Sequence, residues 1–170
     1  AKAELIASLQ KLTPDHHFQV VFYTSSPALL VAHRDGLSFQ AEPEETLDDA
    51  PKRPGPPRQW LAATQINRTL SQQTITSFRE HGGTNHLLAL ELALSLKPDV
   101  LFFLTDADEP ELTMAELNTI RTRNPKGEIH TVEFGKGARI NVDNFLVKIA
   151  RQNRGTYSYR DIHQFQAGSR

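Results

Sequence analysis

At 170 residues with 38% apolar side chains, the chain has the size and composition of one compact domain with its own core. Its 19 basic residues against 20 acidic ones give a net charge of -1, so there is no global attraction to nucleic acid or to an anionic membrane. The absence of cysteine excludes disulfides, thiolate metal sites and a cysteine nucleophile, and no apolar run approaches the roughly 20 residues that span a bilayer.

Leu5, Ile6, Leu9 and Leu12 recur at helical spacing and Pro14 closes the segment, which predicts an amphipathic helix from Ala1 to Leu12. It has no N-cap, so its natural start is expected upstream. The run Phe18, Val20, Val21, Phe22, Tyr23 predicts a strand buried on both faces. Ala28 to Ala32 are expected to return as an edge strand after a turn at Ser25, Ser26 and Pro27. From about 40 to 58 the chain mixes charge with five prolines, which predicts an exposed insertion within a single domain spanning 1–170.

Thr64 is placed to cap a helix carrying Ile66, Leu70 and Phe78 that ends before Gly82 and Gly83. A second helix, about Asn85 to Leu96, is apolar on nearly every face and is expected to be the most buried in the domain. Val100 to Leu104 read as a continuous apolar strand, and Thr113 with Glu116 form a capping box for the next helix. Glu128 to Phe134 follow as a strand, Asn144 to Arg151 as a helix, and Thr156 to Tyr159 as a last short strand. Strands alternating with helices predict an α/β, doubly wound, mostly parallel sheet with helices on both faces.

In such sheets ligands sit beyond the carboxyl ends of the strands. Two segments of this chain end there with oxygen-bearing side chains: Thr84 and Asn85 after the glycine pair, and Thr105, Asp106 and Asp108 after the central strand. A hydroxyl and a carboxylate from different loops suit a hard divalent cation such as Mg²⁺. Equally, Thr84 reads as a helix cap and the two aspartates as solvated loop acids. The histidines show no helical metal-ligand spacing, and Asn67-Arg68-Thr69 matches the glycosylation pattern only inside a predicted helix.

The order of helix, buried strand, long excursion, helix, GGTN, buried helix, strand with TDAD, then strand, helix and IARQNRGTYSY resembles a von Willebrand factor A domain over almost the whole chain. The resemblance implies a Rossmann-type three-layer αβα fold and a metal-ion-dependent adhesion site. In that family the site combines an Asp-x-Ser-x-Ser element after the first strand, a Thr in the next loop and an Asp at the end of the fourth strand. Thr84 matches the Thr and Asp106 the Asp, while no Asp-x-Ser-x-Ser occurs in this sequence. The resemblance thus implies a partial site for Mg²⁺ or Mn²⁺, completed by a carboxylate of a protein partner, on a non-enzymatic binding, adhesion or assembly module. It also implies that the central first strand, between the strands at 18–23 and 100–104, is missing. Cys-free, charge-balanced A domains of this kind look bacterial.

Two other readings attach to the same residues. Asp106-Ala107-Asp108 after an apolar strand resembles the Asp-x-Asp element of metal-dependent nucleotide-sugar glycosyltransferases, and more distantly an aspartyl phosphotransferase with Asp106 as nucleophile. An inert scaffold that makes contacts through the Pro-rich excursion and Asp108, Glu109 and Glu111 is the third.

Overall fold

The computed structural model describes residues 2–41, 57–79, 83–107, 110–139 and 143–163. Two compact units make up the chain, Lys2–Leu92 and Ala93–Arg170, with the boundary inside one helix.

The first unit opens with α1 (Lys2–Gln10), followed by β1 (His17–Phe18) and β2 (Val21–Tyr23). The expected strand at 18–23 is therefore broken. At the break, the Gln19 side chain accepts the Val20 N–H at 2.7 Å and donates to the Gln59 carbonyl at 2.8 Å, which takes the Val20 amide out of a ladder. β1 pairs antiparallel with β5 (Leu61–Ala62), and β2 pairs antiparallel with β3 (Pro27–His33). β3 is not the edge strand expected from its sequence. A further strand, β4 (Gly36–Ala41), folds back on it, so the order is β2-β3-β4 and β3 lies in the middle. The hairpin needs Gly36, whose φ of 142° lies where L side chains rarely go.

α2 (Gln65–Ser77) begins as expected, with Thr64 Oγ1 accepting the Asn67 N–H at 3.2 Å. It ends earlier than the glycine pair: Phe78 is the C-cap in an extended conformation, and Gly83 shows no positive φ. The reason lies in what Phe78 packs on. Its ring stacks on Phe22 at 4.6 Å and meets Phe39 edge-on at 4.9 Å, contacts a continuing helix would carry away. Leu9, Phe18, Leu30, Leu61 and Ile75 form the buried core beside this aromatic group.

α3 (His86–Ser95) follows. His86, Ala89, Leu90, Leu92 and Leu94 are buried, but Leu88 is 45% exposed, so the helix is not covered on all sides as expected.

The second unit holds β6 (Val100–Thr105), α4 (Met114–Arg123), β7 (Glu128–Gly135), α5 (Phe145–Gln152) and β8 (Tyr157–Asp161). The three strands form a parallel sheet in the order β6-β7-β8, each crossover being one helix. The Thr113–Glu116 capping box is present in full, and Asn144 caps α5 by accepting the Val147 N–H at 3.2 Å. α5 buries Phe145, Leu146, Ile149 and Ala150 almost completely, and Thr131 Oγ1 of β7 donates to the Leu146 carbonyl at 3.0 Å. Gly155 is required where the chain returns to β8, because a Cβ there would lie 1.9 Å from the Ile129 carbonyl oxygen.

The α/β class is as expected. Parallel pairing, however, is confined to the second unit, and the first is antiparallel throughout its described strands. β2 ends one sheet and β6 ends another, with no hydrogen-bonded strand joining them among the described residues. Most of the predicted insertion, residues 42–56, lies outside the described residues, and its first residues, Gln40 and Ala41, belong to β4.

Candidate functional site

In the first unit the loop before α3 is tied to the turn after β2: the Asn85 N–H donates to the Thr24 carbonyl at 2.8 Å. Asn85 is also the helix cap, its Oδ1 accepting the Leu88 N–H at 3.0 Å. The reading of Thr84 as the cap is corrected by this pair, because the adjacent asparagine already does that work. Thr84 is exposed and its hydroxyl makes no hydrogen bond among the described residues. Ser25 and Ser26 lie in the β2–β3 turn, as expected. His86 is a core residue, 1% exposed and edge-on to Tyr23 at 5.7 Å; His81 lies outside the described residues. Asn67 is on α2 with its side-chain amide donating to the Ala62 carbonyl at 2.8 Å.

In the second unit Asp106 follows the last residue of β6 and is exposed. Thr105 Oγ1 donates to Asp106 Oδ1 and accepts the Ala107 N–H, both at 3.4 Å. Ala107 has φ 59°, a left-handed conformation that costs an L residue about 1–2 kcal/mol. Strain of this kind concentrates at ligand-holding turns, and here it follows directly on the strand-end carboxylate. Asp108 and Glu109 lie outside the described residues. The Thr84 hydroxyl belongs to the first unit and the exposed Asp106 carboxylate to the second, and each is an oxygen donor of the kind hard cations take. Among the described residues, no three or more His, Asp and Glu side chains cluster closely enough to hold a metal.

The second unit also contains a polar network that the sequence did not flag. Thr105, Glu133 and Tyr159 stand in register across the three parallel strands near their carboxyl ends. Glu133 is only 9% exposed; its Oε2 accepts from Asn144 Nδ2 at 2.5 Å and from the Tyr157 hydroxyl at 2.7 Å. The Arg139 guanidinium lies over the Tyr157 ring, 4.2 Å from its centroid. Burial, and then the hydrogen bond to Glu133 and its charge, push the Tyr157 hydroxyl well above the ordinary 10.0. At the end of β8 the Asp161 carboxylate accepts the Gly137 and His163 N–H groups at 3.0 Å each, which lowers its pKa. Tyr159 donates to the Gly137 carbonyl at 2.9 Å, so the loop after β7 is pinned to β8 from both sides. The available signal is Glu133 standing between the apolar residues Val132 and Phe134 in the C-terminal half of β7.

No protein-family model matches the sequence, and no curated protein shows significant similarity to it. Among solved structures, a von Willebrand factor type A protein from Catenulispora acidiphila superposes with a TM-score of 0.65 at 20% identity, covering 98% of this chain and 35% of that one. The chain thus has a von Willebrand factor A-like, three-layer αβα fold and spans about a third of the length of that protein. No helix among the described residues is long and apolar enough to cross a membrane.

Proposed function

We propose that this chain, on its von Willebrand factor A-like fold, is a protein-binding module of the adhesion or assembly kind rather than an enzyme. In this reading Thr84 and Asp106 are ligands of Mg²⁺ or Mn²⁺, and a carboxylate of the partner protein completes the coordination. The observation that carries it is the fold likeness over 98% of the chain. Two features of the residues themselves support it: the Thr84 hydroxyl is left over because Asn85 caps α3, and the Asp106 carboxylate sits before a left-handed alanine.

Mg²⁺ keeps several waters and is commonly held by one or two protein carboxylates, so a two-residue protein contribution is chemically sufficient for weak binding. With no Asp-x-Ser-x-Ser in the sequence, the cation site is incomplete by the family's own pattern, and the partner's carboxylate becomes the main additional ligand.

The test is a calorimetric titration of Mg²⁺ and Mn²⁺ into the chain and into its Thr84→Ala and Asp106→Ala variants. One weak site, lost in both variants, is expected. Binding that survives either substitution would remove that residue from the site, and a flat titration for the parent chain would leave an inert scaffold as the reading.

A further inference from the structure

β4 lies last in the order β2-β3-β4, six residues long, Gly-Leu-Ser-Phe-Gln-Ala. It carries no charge and no proline, the devices by which exposed strand edges are usually protected from added strands. Alternation along the ladder turns the backbone groups of Leu37, Phe39 and Ala41 away from β3, as the pairing His33↔Gly36 closes the hairpin. The Leu37 carbonyl indeed faces α2, where it accepts from Thr74 Oγ1 at 3.3 Å. Between this edge and the C-terminal half of α2 runs a cleft of about 480 Å³, floored by Leu37, Phe39 and Phe78 and rimmed by Gln73 and Ser77.

We infer that this edge and cleft take up an extended, uncharged segment of a partner protein as an added strand. The outward Leu37 N–H and the outward backbone groups of Phe39 and Ala41 supply the hydrogen bonds, the Leu37 carbonyl being held by Thr74, and the aromatic floor takes an aliphatic side chain of the added segment. Charge decides the chemistry of that segment. Among the described residues, none of β4 or of the cleft lining is charged. The one charged residue of α2, Arg68, donates instead to the Gln10 and Leu12 carbonyls and to Gln65. Lys2 lies against the Phe22 and Phe78 rings and donates to the Phe78 carbonyl. An ionised side chain entering the cleft would be desolvated without a partner, so the site selects against it. This surface lies within the first unit and does not involve Thr84 or Asp106, so its test is independent of the cation reading.

The probe is a capped Thr-Val-Thr-Val-Thr peptide added to the isotope-labelled chain, followed by amide chemical shifts. Shifts are expected at Leu37, Phe39 and Ala41 and at Gln73 and Ser77. N-methylation of the central peptide nitrogen is expected to weaken binding roughly threefold to tenfold through one lost backbone hydrogen bond. Replacing the valines by aspartates, or filling the cleft with Ser77→Trp, is expected to abolish the shifts; Gln73→Glu, a smaller change on the same rim, is expected to reduce them while the thermal transition stays in place. The proposal is overturned if β4 does not respond, or if the N-methyl peptide binds as well as its parent. Sedimentation showing a dimer broken by Ser77→Trp would assign the cleft to a second copy. Binding seen only after removal of residues 42–56 would assign it to the chain's own following segment.

Discussion

The two units reach their cores by different routes. The first pairs its described strands antiparallel around aliphatic side chains and three mutually packed phenylalanines, Phe22, Phe39 and Phe78. The second pairs its strands parallel and sets a hydrogen-bonded carboxylate, Glu133, beneath their carboxyl ends. Hairpins need only a local turn, and the first unit supplies it with Gly36. Parallel strands need whole helices as connections, and the second unit supplies well-capped ones, α4 and α5. The two units are therefore vulnerable in different places: the first in packing, the second in packing and in a polar network that must stay satisfied.

The largest effects should be common to both. Phe145→Ala in α5 is expected to cost about 3–5 kcal/mol and Ile75→Ala in α2 about 2–5 kcal/mol, read as a fall in the urea midpoint, because both side chains are essentially unexposed. A loss below about 1 kcal/mol in either would mean that unit is not built around the core described.

The next effect should separate them. Tyr157→Phe removes one of the two donors to Glu133 and is expected to cost about 1–2 kcal/mol, with no counterpart among the described residues of the first unit. Its pH dependence has a definite sign. The folded pKa is raised, so the contribution is fully present below the ordinary 10.0 and is lost as the pH rises toward the higher folded value. Ultraviolet tyrosinate titration of the native chain should show one phenol ionising later than the rest, absent in the variant.

Helix caps give a finer contrast. Thr113→Ala breaks a reciprocal box in which the Glu116 carboxylate also accepts the Thr113 N–H at 2.7 Å, whereas Thr64→Ala breaks a single bond. Chemical denaturation should find about 1 kcal/mol for each, the Thr113 loss being the larger. The smallest effect has the opposite direction. Ser71 is buried in α2 with a hydroxyl that finds no partner among the described residues, so Ser71→Ala should stabilise the chain by about 0.5 kcal/mol in the same assay.

The sequence was most legible where local rules and tertiary structure agree. Strands β6 and β7, the α4 capping box and the α5 start followed from apolar runs and cap residues alone, since each crossover carries its own boundary signals. The first unit was harder because its boundaries are set by side chains acting at a distance: Gln19 breaks a strand by reaching Gln59, and Phe78 stops a helix by packing on Phe22 and Phe39. β4 is harder to read: Leu37, Phe39 and Ala41 do alternate with Ser38 and Gln40, but the run has no β-branched residue and its end merges into the charged, Pro-rich stretch, so only pairing with β3 defines it. At the candidate site, Thr84 and Asp106 were legible as oxygen donors at element ends. That Asn85 rather than Thr84 caps α3 was not, because neighbouring Thr and Asn are equally good caps until the backbone is fixed.

The proposed cation reading is that Thr84 and Asp106 serve one ion. It is tested most directly by adding Mn²⁺ to the isotope-labelled chain in the presence of acetate as a stand-in for the partner's carboxylate, and reading paramagnetic broadening of the amides. The account predicts selective broadening around both Thr84 and Asp106, strengthened by acetate and abolished together in Asp106→Ala. Broadening at Asp106 alone, or around Thr84 that persists in that variant, would contradict it.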